Sequence, residues 1–180
     1  MRLAVTGTPG TGKTTATEHL DDRASERAQD TRVVHLNDVI REAGLHDGED
    51  PDRASLYADF EALGEWLDEH AAGTDEDVVV ESHLAHHFDA HRVVVLRCAP
   101  ETLESRLLER GETEEKAEEN ADAEALDVIL AEAVDRHGTD AVYEIDATDR
   151  SPEAVADEIR AVLDGEREPS AGTVDFTGWL

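Results

Sequence analysis

Residues 7–15 read Gly7-Thr8-Pro9-Gly10-Thr11-Gly12-Lys13-Thr14-Thr15, which satisfies G-x-x-x-x-G-K-[ST] without a mismatch. Glycines at 7, 10 and 12 permit a tight turn whose backbone N–H groups converge on phosphate oxygens at the start of a helix. Lys13 supplies a point charge for the β- and γ-phosphates, and Thr14 a hydroxyl ligand for Mg²⁺. The apolar run Arg2-Leu3-Ala4-Val5-Thr6 before the motif and the helical pattern after it are the context such a loop needs. The predicted ligand is a nucleoside triphosphate, with Gly10, Gly12, Lys13, Thr14 and Thr15 among its contacts.

Other groups fit the same chemistry. Val78-Val79-Val80 ends in Glu81, and in phosphate-loop proteins a carboxylate at the tip of a buried strand holds Mg²⁺, directly or through water, or orients an attacking group. Aspartate is commoner there, and glutamate reaches one methylene further; a helix-capping or solvated carboxylate is the alternative. Ser82-His83-Leu84-Ala85-His86-His87 follows. Three histidines so near Glu81 suggest a transition metal, but the spacing fits no standard ligand set and the single cysteine, Cys98, lends no support. His83 is the better candidate for a role at the phosphates, with His86 and His87 solvated or locally hydrogen-bonded. Cys98 reads as a small buried residue.

Arg106 and Arg110, four apart on a predicted helix, share a face. Gly111 and a polar segment with Lys116 come next, the layout of a lid that closes over transferring phosphates. A helix–turn–helix connection with i,i+4 ion pairs is the plainer alternative. The chain has only two lysines, Lys13 and Lys116, which favours a working role for the second. Arg41 offers a guanidinium suited to the phosphate of a second substrate; an exposed pair with Asp38 or Glu42 is the alternative.

These groups need a scaffold. Apolar runs of strand length recur at 2–6, 32–36, 77–80, 92–97 and 141–145, with helical periodicity between most of them. That alternation predicts an α/β domain with a parallel sheet covered on both faces. Leu126, Ile129, Leu130, Ala133 and Val134 predict one helix with one buried face. Ser151-Pro152-Glu153 reads as an N-cap with proline at the first helical position, and the helix after it carries Val155, Ile159 and Leu163 on one stripe. Residues 47–53 read as a charged loop. The domain is expected over 1–164, followed by an acidic linker and tail, 165–180.

The 45 acidic residues against 16 basic ones give a formal net charge of −29. Such self-repulsion destabilises a compact state in dilute buffer, but at molar salt the Debye length falls to about 3 Å. The acids are spread along the whole chain, which suggests a protein suited to the salt-loaded cytoplasm of a halophile; an ordinary acidic protein is the alternative. The excess argues against bulk electrostatic binding of nucleic acid. No apolar run approaches the roughly 20 residues needed to span a bilayer, and a cytoplasmic protein without a membrane partner is expected.

With these pieces placed, the chain resembles the atypical adenylate kinases of the isoenzyme 6 type. The resemblance is carried by Gly7 through Thr15, Asn37-Asp38, Val80-Glu81-Ser82-His83, Val95-Leu96-Arg97, and Arg106 through Asn120 with Arg110-Gly111 and Lys116. It implies an α/β P-loop nucleoside monophosphate kinase fold: a five-stranded parallel sheet flanked by helices, a monophosphate-binding segment near 35–58 and a short lid near 109–120. It implies transfer from ATP to AMP, giving 2 ADP, together with ATPase activity and Mg²⁺ bound with ATP. Lys13, Glu81, His83 and Arg110 would be catalytic, Thr14 and Glu81 tied to Mg²⁺, and His83 tied to hydrolysis. Arg110 would be the lid contact to ATP, and Asp38 and Arg41 would bind AMP. The resemblance also implies a link to maturation of the small ribosomal subunit, with universal small-subunit protein eleven and the pre-small-subunit as partners. Glu81 departs from the aspartate of the eukaryotic members. The D-G-[FY]-P-R motif and lid zinc cysteines of conventional adenylate kinases are absent. Two rivals stand beside the kinase reading: a nucleotide-gated ribosome assembly factor whose ATPase activity is what matters, and a small-molecule kinase with another acceptor.

Overall fold

The computed structural model describes residues 1–24, 31–50, 55–71 and 76–180. In chain order the strands are β1 (Arg2–Thr6), β2 (Thr31–His35), β3 (His46–Asp50), β4 (Ser55–Ala58), β5 (Asp77–Glu81), β6 (Arg92–Arg97) and β7 (Val142–Asp146). The helices are α1 (Lys13–Ala24), α2 (Leu36–Glu42), α3 (Phe60–Ala71), α4 (Pro100–Glu109), α5 (Glu114–Ala125), α6 (Val128–His137) and α7 (Pro152–Leu163). Five strands form one sheet in the order β2-β5-β1-β6-β7, and every pairing in it is parallel. The phosphate loop leaves the central strand, β1.

Strand side chains alternate between two cores, as the period of two requires. Leu3, Val5, Val79, Val94, Leu96 and Ile145 pack with Ala16 and Leu20 of α1 and with Val155, Ile159 and Leu163 of α7. Ala4, Val78, Val80, Val93 and Val95 face the other way, toward Leu36 and Ile40 of α2, Leu63 and Leu67 of α3 and Leu130 and Ala133 of α6. Both faces are covered, which is why the central strands read as unbroken valine and leucine. A third cluster joins Cys98, Leu103, Leu107 and Ala117 and fixes α4 against α5. At the start of α7 the Ser151 side chain accepts from the Ala154 N–H, and Pro152 occupies the first helical turn. No helix among the described residues is long and apolar enough to cross a membrane.

Two expectations are corrected. Residues 47–50 of the charged loop expected over 47–53 belong instead to β3, which pairs antiparallel with β4; residues 51–53 of that loop lie outside the described residues. The single helix expected through Leu126 and Val134 is broken. Asp127 adopts φ 56°, α5 ends at Ala125, α6 starts at Val128, and Leu126 is 58% exposed rather than on the buried stripe. The break exists because Arg97 pulls two groups together, donating to the Glu124 carbonyl at 3.1 Å and to Asp127 Oδ1 at 2.5 Å.

The segment 109–120 is the end of α4, a turn in which Gly111 has φ 88°, and the first turns of α5. The Thr113 hydroxyl caps α5 by accepting from Lys116 N–H. The 165–180 stretch carries one short 3-10 turn, Thr177–Trp179, and is held against the sheet by side chains described below.

Candidate active site

The loop geometry follows from its glycines. Gly7 has φ 140°, and a Cβ there would stand 2.4 Å from the Leu96 carbonyl oxygen, so this crossing of β6 admits no side chain. Gly10 has φ 97°, and a Cβ would press on Leu107 of α4 at 3.2 Å. Lys13 is buried, and its Nζ donates to the carbonyls of Gly7 at 2.8 Å and Thr8 at 3.1 Å. Burial lowers its pKa to about 8, opposed by the charges of Glu81 and Glu124 and reinforced by Arg110. Thr14, one residue on, is exposed at the helix start.

Glu81 is buried at the tip of β5. It stands level with His35 across the β2–β5 pairing, and its Oε2 lies 2.8 Å from His35 Nδ1. That hydrogen bond raises the pKa of His35. His83 lies two residues further, and burial lowers its pKa to about 4, aided by the charge of Lys13, so its ring is neutral at physiological pH. Ser82 donates to Asn37 Oδ1 at 3.3 Å and thereby joins the β5 tip to α2. His86 is buried rather than solvated: its Nδ1 is 2.9 Å from Thr6 Oγ1 and its Nε2 3.0 Å from Glu132 Oε2.

Beside the loop lies a cleft of ≈ 460 Å³, whose lining includes Gly10, Gly12, Thr15, Arg106, Arg110 and Arg150. Ala147, Pro152 and Val155 supply an apolar wall. The pairing of Arg106 and Arg110 on one face is therefore realised, with both facing the loop. Arg106 also donates to the Thr148 carbonyl at 3.2 Å, which ties α4 to the segment after β7. A cleft with three guanidinium groups at a phosphate loop fits a polyphosphate with an apolar-faced base attached.

Behind the loop is a buried ionic network. The Thr8 hydroxyl donates to Glu124 Oε2 at 2.5 Å, and Arg97 Nε donates to Glu124 Oε1 at 2.7 Å. Arg97 Nη1 donates to Glu144 Oε1 at 2.5 Å. Arg97, Glu124 and Glu144 are 1%, 3% and 1% exposed, so their charges pair with one another away from bulk solvent.

The AAA domain family model matches residues 3–127. Over its full length the chain is 61% identical to the "Putative adenylate kinase" of Halobacterium salinarum strain R1, covering 100% of each. It is 60% identical to the protein of the same name in Natronomonas pharaonis, again over 100% of each. The chain belongs to this archaeal family. A gluconokinase from Sinorhizobium meliloti 1021 superposes with TM-score 0.53 at 16% identity over 92% of both chains, a likeness of fold alone: the P-loop kinase fold.

In this family member Lys13 feels the charges of Glu81 and Arg110, and His83 those of Lys13 and Glu81. Asp38 and Arg41 stand apart from that group in exposure: Arg41 donates to Asp38 Oδ1 at 3.3 Å, and the two side chains are 61% and 67% exposed. Lys116 pairs with Glu112 at 2.8 Å across one helical turn, the ion pair that a helix–turn–helix connection provides. Sequence reasoning missed the local roles of His35, Glu124, Arg97 and Arg150. His35 becomes visible only once β2 is known to lie beside β5, and Glu124 only once α5 is folded back over the loop.

Proposed function

We propose that the chain is an adenylate kinase that transfers the γ-phosphoryl group of ATP to AMP and, more slowly, to water. The observation that carries this is the grouping of Lys13, Glu81 and His83 at one end of the sheet, beside a cleft lined by Arg106 and Arg110. The name of the close relatives supports AMP as acceptor. In a phosphoryl transfer the protein positions reactants and stabilises charge. Lys13 exchanges its bonds to the Gly7 and Thr8 carbonyls for phosphate oxygens, and Arg110, at the end of α4, moves with the 109–120 lid toward the transferring group. AMP occupies the 35–58 side, where Arg41 exchanges Asp38 for the acceptor phosphate.

Glu81 and the Thr14 hydroxyl make an all-oxygen donor pair, which suits a hard cation and would hold Mg²⁺. When bound, the ion supplies neutralisation of the β- and γ-phosphate charge. His35 fixes the Glu81 carboxylate. His83, with its pKa near 4, is too weak a base to take a proton at neutral pH, so its part in hydrolysis is to orient water by hydrogen bonding.

The test is ADP formation from ATP, at high salt, with and without AMP. AMP should stimulate strongly, and Lys13→Ala should lower the rate by about 10²-fold or more. Wild-type AMP phosphorylation in that variant overturns the assignment. The strand-tip Glu81-x-His83 pair also supports a second reading, a nucleotide-gated ribosome assembly factor in the cytoplasm. Stimulation of hydrolysis by universal small-subunit protein eleven and not by AMP would decide for it. Stimulation by neither, with turnover on another phosphate acceptor, would identify a small-molecule kinase.

A further inference from the structure

We propose that His86, His87 and Glu132 form a site for a divalent transition-metal ion of the Zn²⁺, Co²⁺ or Ni²⁺ class, which clips the turn after β5 to α6. One ligand atom from each of the three residues lies within 4.8 Å of the other two. The site is separate from Glu81 and His83, the neighbours with which sequence alone grouped these histidines. Glu132 comes instead from α6, forty-five positions further on.

The arrangement is built rather than incidental. His86 is 1% exposed, and its Nδ1 sits 2.9 Å from the Thr6 hydroxyl. This is the orienting contact that a metal-bound imidazole makes with its other nitrogen. Its Nε2 then faces Glu132 Oε2 at 3.0 Å. The turn is fixed a second time by His137, whose Nε2 lies 2.7 Å from the His86 carbonyl oxygen. His87 lies beside His86, ring centroids 4.1 Å apart and planes tilted by 39°, and lines an open surface cleft of ≈ 590 Å³ through which an ion enters.

Tetrahedral Zn²⁺ holds nitrogen and oxygen donors at about 2.0–2.2 Å, which places neighbouring donors about 3.3–3.6 Å apart. The His86–Glu132 pair needs to open by a few tenths of an ångström, and the half-exposed Glu132 side chain has the freedom to do so. The ion takes the place of a proton at His86 Nε2: the neutral ring keeps its single proton on Nδ1, donated to Thr6 Oγ1, and Nε2 offers its lone pair to the metal beside Glu132. Two imidazoles and one carboxylate favour a borderline ion over Mg²⁺ or Ca²⁺, which take oxygen. Three protein ligands leave the remaining position to water.

The experiment uses the full chain, stripped with chelator, at high salt and in excess Mg²⁺ to occupy oxygen-only sites. Co²⁺ is titrated with its visible absorption as readout, and Zn²⁺ by calorimetry. One ion per chain is expected, with affinity lowered about tenfold or more in each of Glu132→Gln and His87→Ala, and with thermal stability raised by Zn²⁺ in the wild type only. Both substitutions lie outside the buried core, and circular dichroism at the same salt confirms their fold; Glu132→Gln also keeps an acceptor for His86. Absence of saturable binding in excess Mg²⁺ overturns the proposal. Unchanged affinity in either variant overturns the three-ligand set.

Discussion

Glu124 joins the phosphate loop to the sheet through two oxygens, accepting from Thr8 Oγ1 with one and from Arg97 Nε and the Cys98 N–H with the other. Glu124→Ala leaves Arg97 short of a partner at a buried position, and breaking such a buried pair costs about 3–5 kcal/mol. It also frees Thr8, so the KM for ATP should rise with the loss of stability. Urea unfolding and ATP titration measure both; a loss under about 1 kcal/mol would mean that Asp127 and Glu144 satisfy Arg97 alone. Cys98 next door is buried, and desolvation raises its thiol pKa to about 11. A raised pKa means less thiolate, about one part in a thousand at pH 8. Iodoacetamide should therefore leave the native chain unmodified and label it promptly in denaturant; rapid labelling of the native form at pH 8 would contradict this.

The joint between α5 and α6 depends on Asp127, the one non-glycine residue with positive φ among the described residues. Its left-handed conformation costs about 1–2 kcal/mol, and the bond from Arg97 offsets that cost. Asp127→Ala loses the bond and keeps the strain, whereas Asp127→Gly loses the bond and relieves the strain. Thermal unfolding should thus rank wild type above Gly and Gly above Ala, with about 1 kcal/mol between the two variants; equal stabilities would remove the strain from the account. This joint also shows where sequence stops being legible. The five sheet strands could be read because parallel strands buried on both faces are continuous in Val and Leu, and the phosphate loop because its glycines and lysine are a local pattern. β3 was hidden, since His46-Asp47-Gly48-Glu49-Asp50 has neither apolar alternation nor β-branched residues. The helix break was hidden because the 3.6 spacing runs straight through Leu126, and only a distant arginine interrupts it. His35 beside Glu81, and Glu132 beside His86, are matters of strand order and helix placement that no spacing along the chain encodes.

At the scale of the whole molecule, the C-terminal stretch and the net charge act together. Thr173 N–H donates to Glu144 Oε2 at 2.6 Å, the Phe176 ring covers Arg97 at 5.5 Å, and Trp179 Nε1 donates to Asp122 at 3.4 Å. The tail thereby closes the ionic network behind the phosphate loop, and Phe176→Ala should cost about 1–2 kcal/mol by exposing that network. The remaining acids are mostly at the surface, where few cations answer them: 45 acidic residues meet 16 basic ones. At 0.1 M salt the Debye length is about 10 Å, long enough for neighbouring carboxylates to repel; at 1 M it is about 3 Å, and the repulsion is confined to contact pairs. Screening acts on the folded state more than on the unfolded chain, because folding brings the charges together. Stability should therefore rise steadily from dilute buffer to molar KCl, and each kcal/mol regained moves Tm by roughly 2–4 °C for a chain of this size. The buried Arg97 network is shielded from salt, so the increment lost in Phe176→Ala should persist at every KCl concentration. A Tm that stays flat across the salt series would mean that the surface acids do not limit stability. A Phe176→Ala deficit that vanishes at high salt would place the tail's contribution in surface charge rather than in the buried network.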